Sequence, residues 1–299
     1  MIVHMNMNIL ISSGLALLGL VFGSFAAAQV WRLRARQLVA DKNDGEPYDK
    51  HEYKKLQPLM GKKQRNDRSQ CLDCGHVLHA TDLIPLVSWT FRGGRCRYCK
   101  KPIGKFEPVA ELVTAGLFVL SYVYWPFGFA HTFDVALFIM WLIMVVLLVV
   151  LAAYDTKWQL LPDVVNYSFI TAAGVFIVLR FLHAHPAVDL VSVIGSVGIL
   201  AGIYAVLYAI SRGAWIGFGD VKLGIGLGLL LGDWRLAFLA LFLANLIGMV
   251  IVLPGLLLKR LVGESRIAFG PLLIAGTLIA FWWGYPFIEW LFDKSALLF

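Results

Sequence analysis

Apolar residues in this chain come in runs long enough to cross a bilayer, and no other feature narrows the fold as much. A helix needs about 20 mainly apolar residues to span the hydrocarbon. Only helices and closed barrels can satisfy their backbone polar groups there. About eight such runs occur, near residues 9–30, 109–127, 135–154, 164–182, 188–210, 221–232, 236–258 and 268–291, the sixth being short. Hydrophobic residues make up 59% of the chain, above the ~45–50% usual for soluble domains. The expectation is an all-α polytopic membrane protein. The first run is read as an uncleaved anchor and not a signal peptide, because residues 1–8 hold no Lys or Arg and the basic residues follow it.

The net charge is +7, and its distribution says more than its size. Seventeen of the 26 Lys and Arg lie between Arg32 and Lys105. Lys157, Arg212, Lys222, Lys259, Arg260 and Arg266 fall in alternate connections, leaving Arg180, Arg235 and Lys294 for the other side. Positive charge concentrates on the cytoplasmic side, so residues 32–107, 155–163, 211–222 and 259–267 are expected in the cytoplasm with both termini outside. Topology accounts for the basic segment, so no nucleic-acid partner is expected. Three parts follow: an N-terminal transmembrane helix over 1–31, a cytoplasmic basic segment over 32–107, and a multi-helix membrane domain over 108–299. Residues 34–70 read as an amphipathic or irregular connector near the membrane surface. Gly224, Gly228 and Gly232 recur every four residues, a spacing that lets another helix approach one face closely.

All four cysteines form one pattern, Cys71-x2-Cys74, 21 residues, Cys96-x2-Cys99. Two thiolates two residues apart can grip one ion, and two such knuckles complete a tetrahedral zinc site. Gly75, Gly93 and Gly94 supply turn residues beside them. Two disulfides or a redox CxxC are the competing readings, the first disfavoured by a reducing compartment. His76 and His79 are expected near the site and not as ligands. Four protein ligands close the coordination sphere, so this zinc would hold a fold together and leave water inactive. A module of ~30 residues has too small a core to fold without such help.

The acids sort by predicted side. Asp134, Asp189, Asp233, Glu289 and Asp293 fall outside, and Asp155, Asp163, Asp220 and Glu264 inside. Carboxylates beside hydrocarbon are costly and are read first as functional. Asp155 ends an apolar run, and Asp220 closes Gly217-Phe218-Gly219-Asp220 at the start of a glycine-rich one. Asp163 is expected to cap the following helix, and a cap is the plain alternative for Asp220. Two carboxylates sharing a proton can hydrolyse a peptide: one takes a proton from water and the other polarises the carbonyl. Other chemistries lack their parts. No HExxH, Gly-x-Ser-x-Gly, Walker loop or dinucleotide fingerprint occurs. Ser24 has no obvious His or Lys partner, and His183-x-His185 reads as ordinary loop histidines.

With these residues in place, the chain resembles the bacterial type IV prepilin peptidases, polytopic aspartic proteases of the GxGD kind. The matching elements run in order: Gly23-Ser24-Phe25 with Arg32, the double CxxC, Asp82-Leu83-Ile84-Pro85-Leu86-Val87-Ser88-Trp89, Gly94-Arg95-Cys96-Arg97-Tyr98-Cys99, Pro108 with Glu111, Asp155 with Leu161-Pro162-Asp163, Gly217–Leu223, and Phe269-Gly270-Pro271. The resemblance implies that Asp155 and Asp220 are catalytic and that the substrates are type IV prepilins or type II secretion pseudopilins. The leader would be cut at the cytoplasmic face of the bacterial inner membrane. It also implies N-methylation of the new terminus with S-adenosylmethionine, an activity associated with the cysteine-containing part. Ala26-Ala27-Ala28 replace the family's usual Leu-Asn-Val, a departure that bears on methylation and not on cleavage. Residues that would bind the methyl donor are not identified. Two other readings compete. A presenilin-like intramembrane protease would share GxGD and a Tyr-Asp pair like Tyr154-Asp155. A transporter with proton-binding acids would need no zinc module.

Overall fold

The protein is described by a computed structural model over residues 2–60, 68–183, 189–257 and 268–295. Apart from two isolated bridges, the described residues form helices and irregular segments, with no strand. Among the described residues, seven helices are long and apolar enough to cross a membrane, and the chain divides into two compact units, Met1–Val119 and Leu120–Phe299. Glu264 and His185 lie outside the described residues, as do Lys259, Arg260 and Arg266.

In the first unit, α1 (Ile2–Asn43) runs without a break for 42 residues. Residues 34–43, expected as a connector, continue the first span instead. Their helical spacing buries Ala35 and Leu38 against Leu56 of α2 (Lys50–Leu56), with Trp31, Tyr48 and Tyr53 around them. Asp49 caps α2 by accepting the His51 and Glu52 N–H groups, and Arg34 donates to Glu52 at 2.6 Å. After the cysteine region come the short α3 (Val87–Phe91) and then α4 (Phe106–Val123). The helices α1 and α4 meet backbone to backbone. A Cβ on Gly19 would lie 2.6 Å from Ala115 Cα, and one on Gly23 would lie 2.5 Å from Glu111 Cα. No side chain fits at either place.

The second unit is a bundle of α5 (Thr132–Trp158), α6 (Asp163–Leu182), α7 (Leu190–Val197), α8 (Ile203–Ser211), α9 (Phe218–Leu231), α10 (Trp234–Leu257) and α11 (Gly270–Ser295). A π-helical turn, Gly198–Gly202, joins α7 and α8 into one span. The short sixth run forms α9, whose 14 residues fall below the length needed to cross alone. It still covers the depth of its neighbour. Near its start, Asn166 of α6 donates to Gly219 O at 3.0 Å, and at its end Arg180 of α6 donates to Leu231 O. The alternation of direction along the chain is therefore kept.

The glycines of α9 explain its seat. A Cβ on Gly224 would fall 2.1 Å from Leu200 O, and one on Gly228 would fall 2.7 Å from Val197 Cα. Both press on the backbone around the π-turn, and Ser196 Oγ donates to Gly228 O at 2.9 Å. The spacing thus does what the sequence suggested for two of the three glycines. Gly232 differs, because it ends α9 in the left-handed conformation, φ +66°, a position glycine takes without strain.

Most acids at the α9 C-terminal end of the bundle are taken up by helix starts. Asp134 accepts the His131 N–H before α5, Asp189 accepts Val191 and Ser192 N–H before α7, and Asp233 accepts Arg235 N–H before α10. Asp233 also receives the Tyr285 hydroxyl at 3.0 Å. Trp125, Phe138, Trp141 and Phe281 cluster in the same unit, with Trp141 and Phe281 stacked at 3.9 Å.

The seat of α9 makes a direct prediction. Gly224→Ala and Gly228→Ala must push two backbones apart and should cost about 1–3 kcal/mol each, the usual penalty of overpacking. Gly174, which has nothing within 4 Å, should accept Ala at no cost. Thermal unfolding midpoints in matched detergent would separate the two classes.

Candidate functional site

Asp155 stands in the last turn of α5, with only 5% of its surface exposed. A helix C-terminus is the unfavourable end for a carboxylate, so capping does not account for it. Its Oδ2 accepts the Gly270 N–H at 3.0 Å. Gly270 opens α11, and a Cβ there would lie 2.8 Å from the same oxygen. The Phe269-Gly270-Pro271 element thus has a physical meaning. Glycine leaves room for the carboxylate, and proline follows in the first turn, where a missing N–H costs nothing.

Asp220 lies in the first turn of α9. The cap position belongs to Gly217, and the Gly217 N–H donates to the Asp220 carboxylate, so Asp220 helps close the helix start from within the first turn and is not the cap residue itself. Leu161 links the two acids. A Cβ on Gly219 would meet Leu161 Cβ at 3.0 Å, and one on Gly270 would meet Leu161 Cδ2 at 3.6 Å. The residue before Asp220 and the residue bonded to Asp155 therefore share one leucine, and the charge of Asp220 reaches Asp155. Both acids stand at the same end of the bundle, away from the capping acids.

Asp163 departs from expectation. Pro162 holds the cap position of α6 without a side-chain bond, and Asp163 instead accepts Lys222 Nζ at 2.7 Å. The ion pair ties α6 to α9 two residues beyond Asp220. Tyr204 was not singled out from the sequence. Its hydroxyl is buried with no hydrogen-bond partner, its ring packs 5.5 Å from Phe269, and the charge of Asp220 reaches it. A tyrosine inside an apolar run carries no local signal of such a setting.

In the first unit, the four cysteine sulfurs lie within 4.8 Å of one another, with Cys71 and Cys99 Sγ 3.9 Å apart. Tetrahedral zinc with bonds of ~2.3 Å would set sulfurs about 3.8 Å apart, so the donor set fits that ion. The two knuckles repeat each other at a constant offset. Cys71 N–H bonds His76 O as Cys96 N–H bonds Lys101 O, and Gly75 and Lys100 take the same left-handed turn, φ +67° and +59°. Gln70–Val77 and Arg95–Pro102 form matching bridges. Burial pushes the Cys71 thiol up to about 12. Burial also acts to raise Cys96, but the Cys99 and Tyr98 N–H groups bring it down to about 7. His76 stacks on Tyr98 at 3.6 Å, and His79 contacts Thr81; neither joins the sulfur cluster. Ser24 donates to Glu111, and His183 stacks on Phe133 at 3.6 Å.

Comparison with known proteins agrees with this layout. The family model "Bacterial Peptidase A24 N-terminal domain" matches residues 17–125, and "Type IV leader peptidase family" matches residues 142–253. A Pseudomonas aeruginosa protein named prepilin leader peptidase/N-methyltransferase is 31% identical over 90% of this chain and 89% of its own length. A Bacillus subtilis protein of the same name is 32% identical over 77% and 87%. An Escherichia coli protein named type 4 prepilin-like proteins leader peptide-processing enzyme is 29% identical over 86% and 88%. No solved structure matches the chain. The family matches cover both the cysteine-bearing and the aspartate-bearing parts, and the Pseudomonas aeruginosa relative aligns over 90% of this chain: the chain belongs to the type IV leader peptidase family.

Proposed function

We propose that this protein removes the leader from type IV prepilins or type II secretion pseudopilins at the cytoplasmic face of the membrane, and then N-methylates the new terminus. Asp155 and Asp220 are the catalytic pair. The observation that carries this is the packing of Gly219 and Gly270 on one leucine, Leu161, with the Gly270 N–H on one Asp155 oxygen and the charge of Asp220 reaching Asp155. The hydrogen bond orients Asp155 and leaves its Oδ1 for water or substrate. One acid takes a proton from the attacking water, while the other, protonated, polarises the scissile carbonyl. Like charges so near share a proton, and the pair acts as a unit. Zinc on Cys71, Cys74, Cys96 and Cys99 is structural, since four protein ligands leave no open position. S-adenosylmethionine supplies the methyl group.

Three outcomes test this reading. Asp155→Asn and Asp220→Asn should each lower leader removal by a factor of about 10² to 10⁴ or more, with the double variant no worse than either single one. Asp163→Asn should be milder, because it loses only an ion pair whose carboxylate is exposed. An in vitro cleavage assay in nanodiscs at matched protein amounts decides this, and near-normal activity of either single Asn variant would sink the dyad.

Metal analysis of freshly reduced protein should give about one zinc per chain with sulfur ligands. Cys74→Ser or Cys99→Ser should impair methylation more than cleavage. Zinc-free protein with both activities intact would reject the structural role.

Residues 71–99 should label from the cytoplasmic side, as the positive-inside pattern requires. Cysteine-accessibility labelling of intact cells that reached this segment from outside would reverse the proposed orientation.

A further inference from the structure

Four of the sequence elements shared with the family lie outside the unit that holds Asp155 and Asp220, and within the first unit they come together. Ser24 of α1, Asp82 and Trp89 of the 82–89 segment, Arg97 of the second knuckle, and Glu107 and Glu111 of α4 line one cavity. Backbone contact between Gly23 and Glu111 draws α1 onto α4 there and sets Ser24 beside the Glu111 carboxylate.

The cavity wall is built with unusual care for an apolar helix pair. Glu107 and Glu111 sit one turn apart on α4 and so share a face. Glu111 is 5% exposed and its Oε2 accepts the Leu86 N–H at 2.8 Å. Leu86 has φ +55° and ψ −46° and centres a three-residue turn closed by Val87 N–H on Pro85 O. Such a turn is rare and strained for any residue but glycine, and strain of this kind gathers at ligand sites. Glu107 Oε1 accepts the Trp31 indole N–H at 2.9 Å, while its Oε2 is buried with no partner. A carboxylate oxygen left so is costly unless something cationic meets it.

We propose that this cavity binds S-adenosylmethionine, with Glu107 and Glu111 receiving its positively charged sulfonium and ammonium groups. The inference rests on the methyltransferase half of the proposed function and names the site for it. Charge supports the match. The cavity's acids Asp82, Glu107 and Glu111 outnumber its bases Arg92 and Arg97 by one, and Arg92 is paired with Asp82. The ligand carries two positive groups and one carboxylate, a net charge opposite to that of the cavity, and Arg97, whose charge also reaches Asp82, is the base that meets the ligand's carboxylate. Trp89 gives the flat apolar surface an adenine needs. Its ring is fixed by the indole N–H on Gly104 O and by Gly94, where a Cβ would come within 3.0 Å of it. Cys96 belongs to the same wall, so the metal-ordered knuckle supports the cavity.

The test is binding of S-adenosylmethionine and of S-adenosylhomocysteine, which lacks the sulfonium charge, to the full-length protein in nanodiscs by equilibrium dialysis. Leader cleavage is measured on the same samples. Glu107→Gln and Glu111→Gln keep size and hydrogen bonding but remove the charge. Each should weaken S-adenosylmethionine binding about tenfold, the effect of one charge-assisted contact. Each should also lower the preference for S-adenosylmethionine over its uncharged analogue, with cleavage retained. Unchanged affinity in the double Gln variant would overturn the assignment and put the donor elsewhere. Loss of cleavage in step with binding would also overturn it, by making the two acids supports of the fold. A wild-type protein that cleaves but neither binds nor uses the donor would refute the methyltransferase reading and this site with it, while leaving the peptidase reading untouched.

Discussion

The close seat of α9 on the backbone around the π-turn governs the geometry of the second unit. Gly224 and Gly228 remove the side chains that would otherwise hold two helices apart, and the Ser196 hydroxyl adds a buried hydrogen bond to Gly228 O. Helices in lipid gain little from hydrophobic burial against each other, so close van der Waals contact of this kind carries much of their association. Once α9 is fixed, its first turn and Asp220 are fixed with it. Arg180 and Gly232 finish the other end, where the last carbonyls of the helix would otherwise lack donors.

A second constraint is the supply of hydrogen bonds away from water. The acids at the α9 C-terminal end spend their oxygens on helix-start N–H groups. Asp155 and Asp220 each take one such N–H too, from Gly270 at the start of α11 and from Gly217 at the start of α9. Their difference is one of place. Asp155 is buried at the C-terminal end of its own helix, and the charge of Asp220 reaches it there.

Much of this was legible in the sequence because its signals are local. The paired knuckles follow from Cys spacing and Gly75, the spans from run length, and the two acids from their place beside hydrocarbon. What was not legible depends on distant partners. Asp163 looks like a cap from its neighbours, yet Lys222 takes its carboxylate. Gly270 enters the sequence reading only as part of Phe269-Gly270-Pro271, yet its N–H and its missing Cβ serve Asp155. The connector from Arg34 reads as either amphipathic or irregular because its charges mask the apolar stripe of Ala35 and Leu38, which α2 reveals. Lys100 occupies the left-handed turn that glycine fills in the first knuckle, so the internal repeat of the cysteine region shows in backbone bonds and not in residue identity.

The unbroken course of α1 has a mechanical consequence. Its 42 residues make a rod of about 63 Å, roughly twice the ~30 Å of hydrocarbon it has to cross. The part beyond the bilayer carries Trp31, which is bonded to Glu107, and Arg34, which is bonded to Glu52. Height above the lipid and rotation about the helix axis are therefore locked together for everything attached to that rod. Removing one residue near Arg32 would lower the attached surface by about 1.5 Å and swing it by about 100°. The helix serves as both ruler and compass, and any change in its length moves both readings at once.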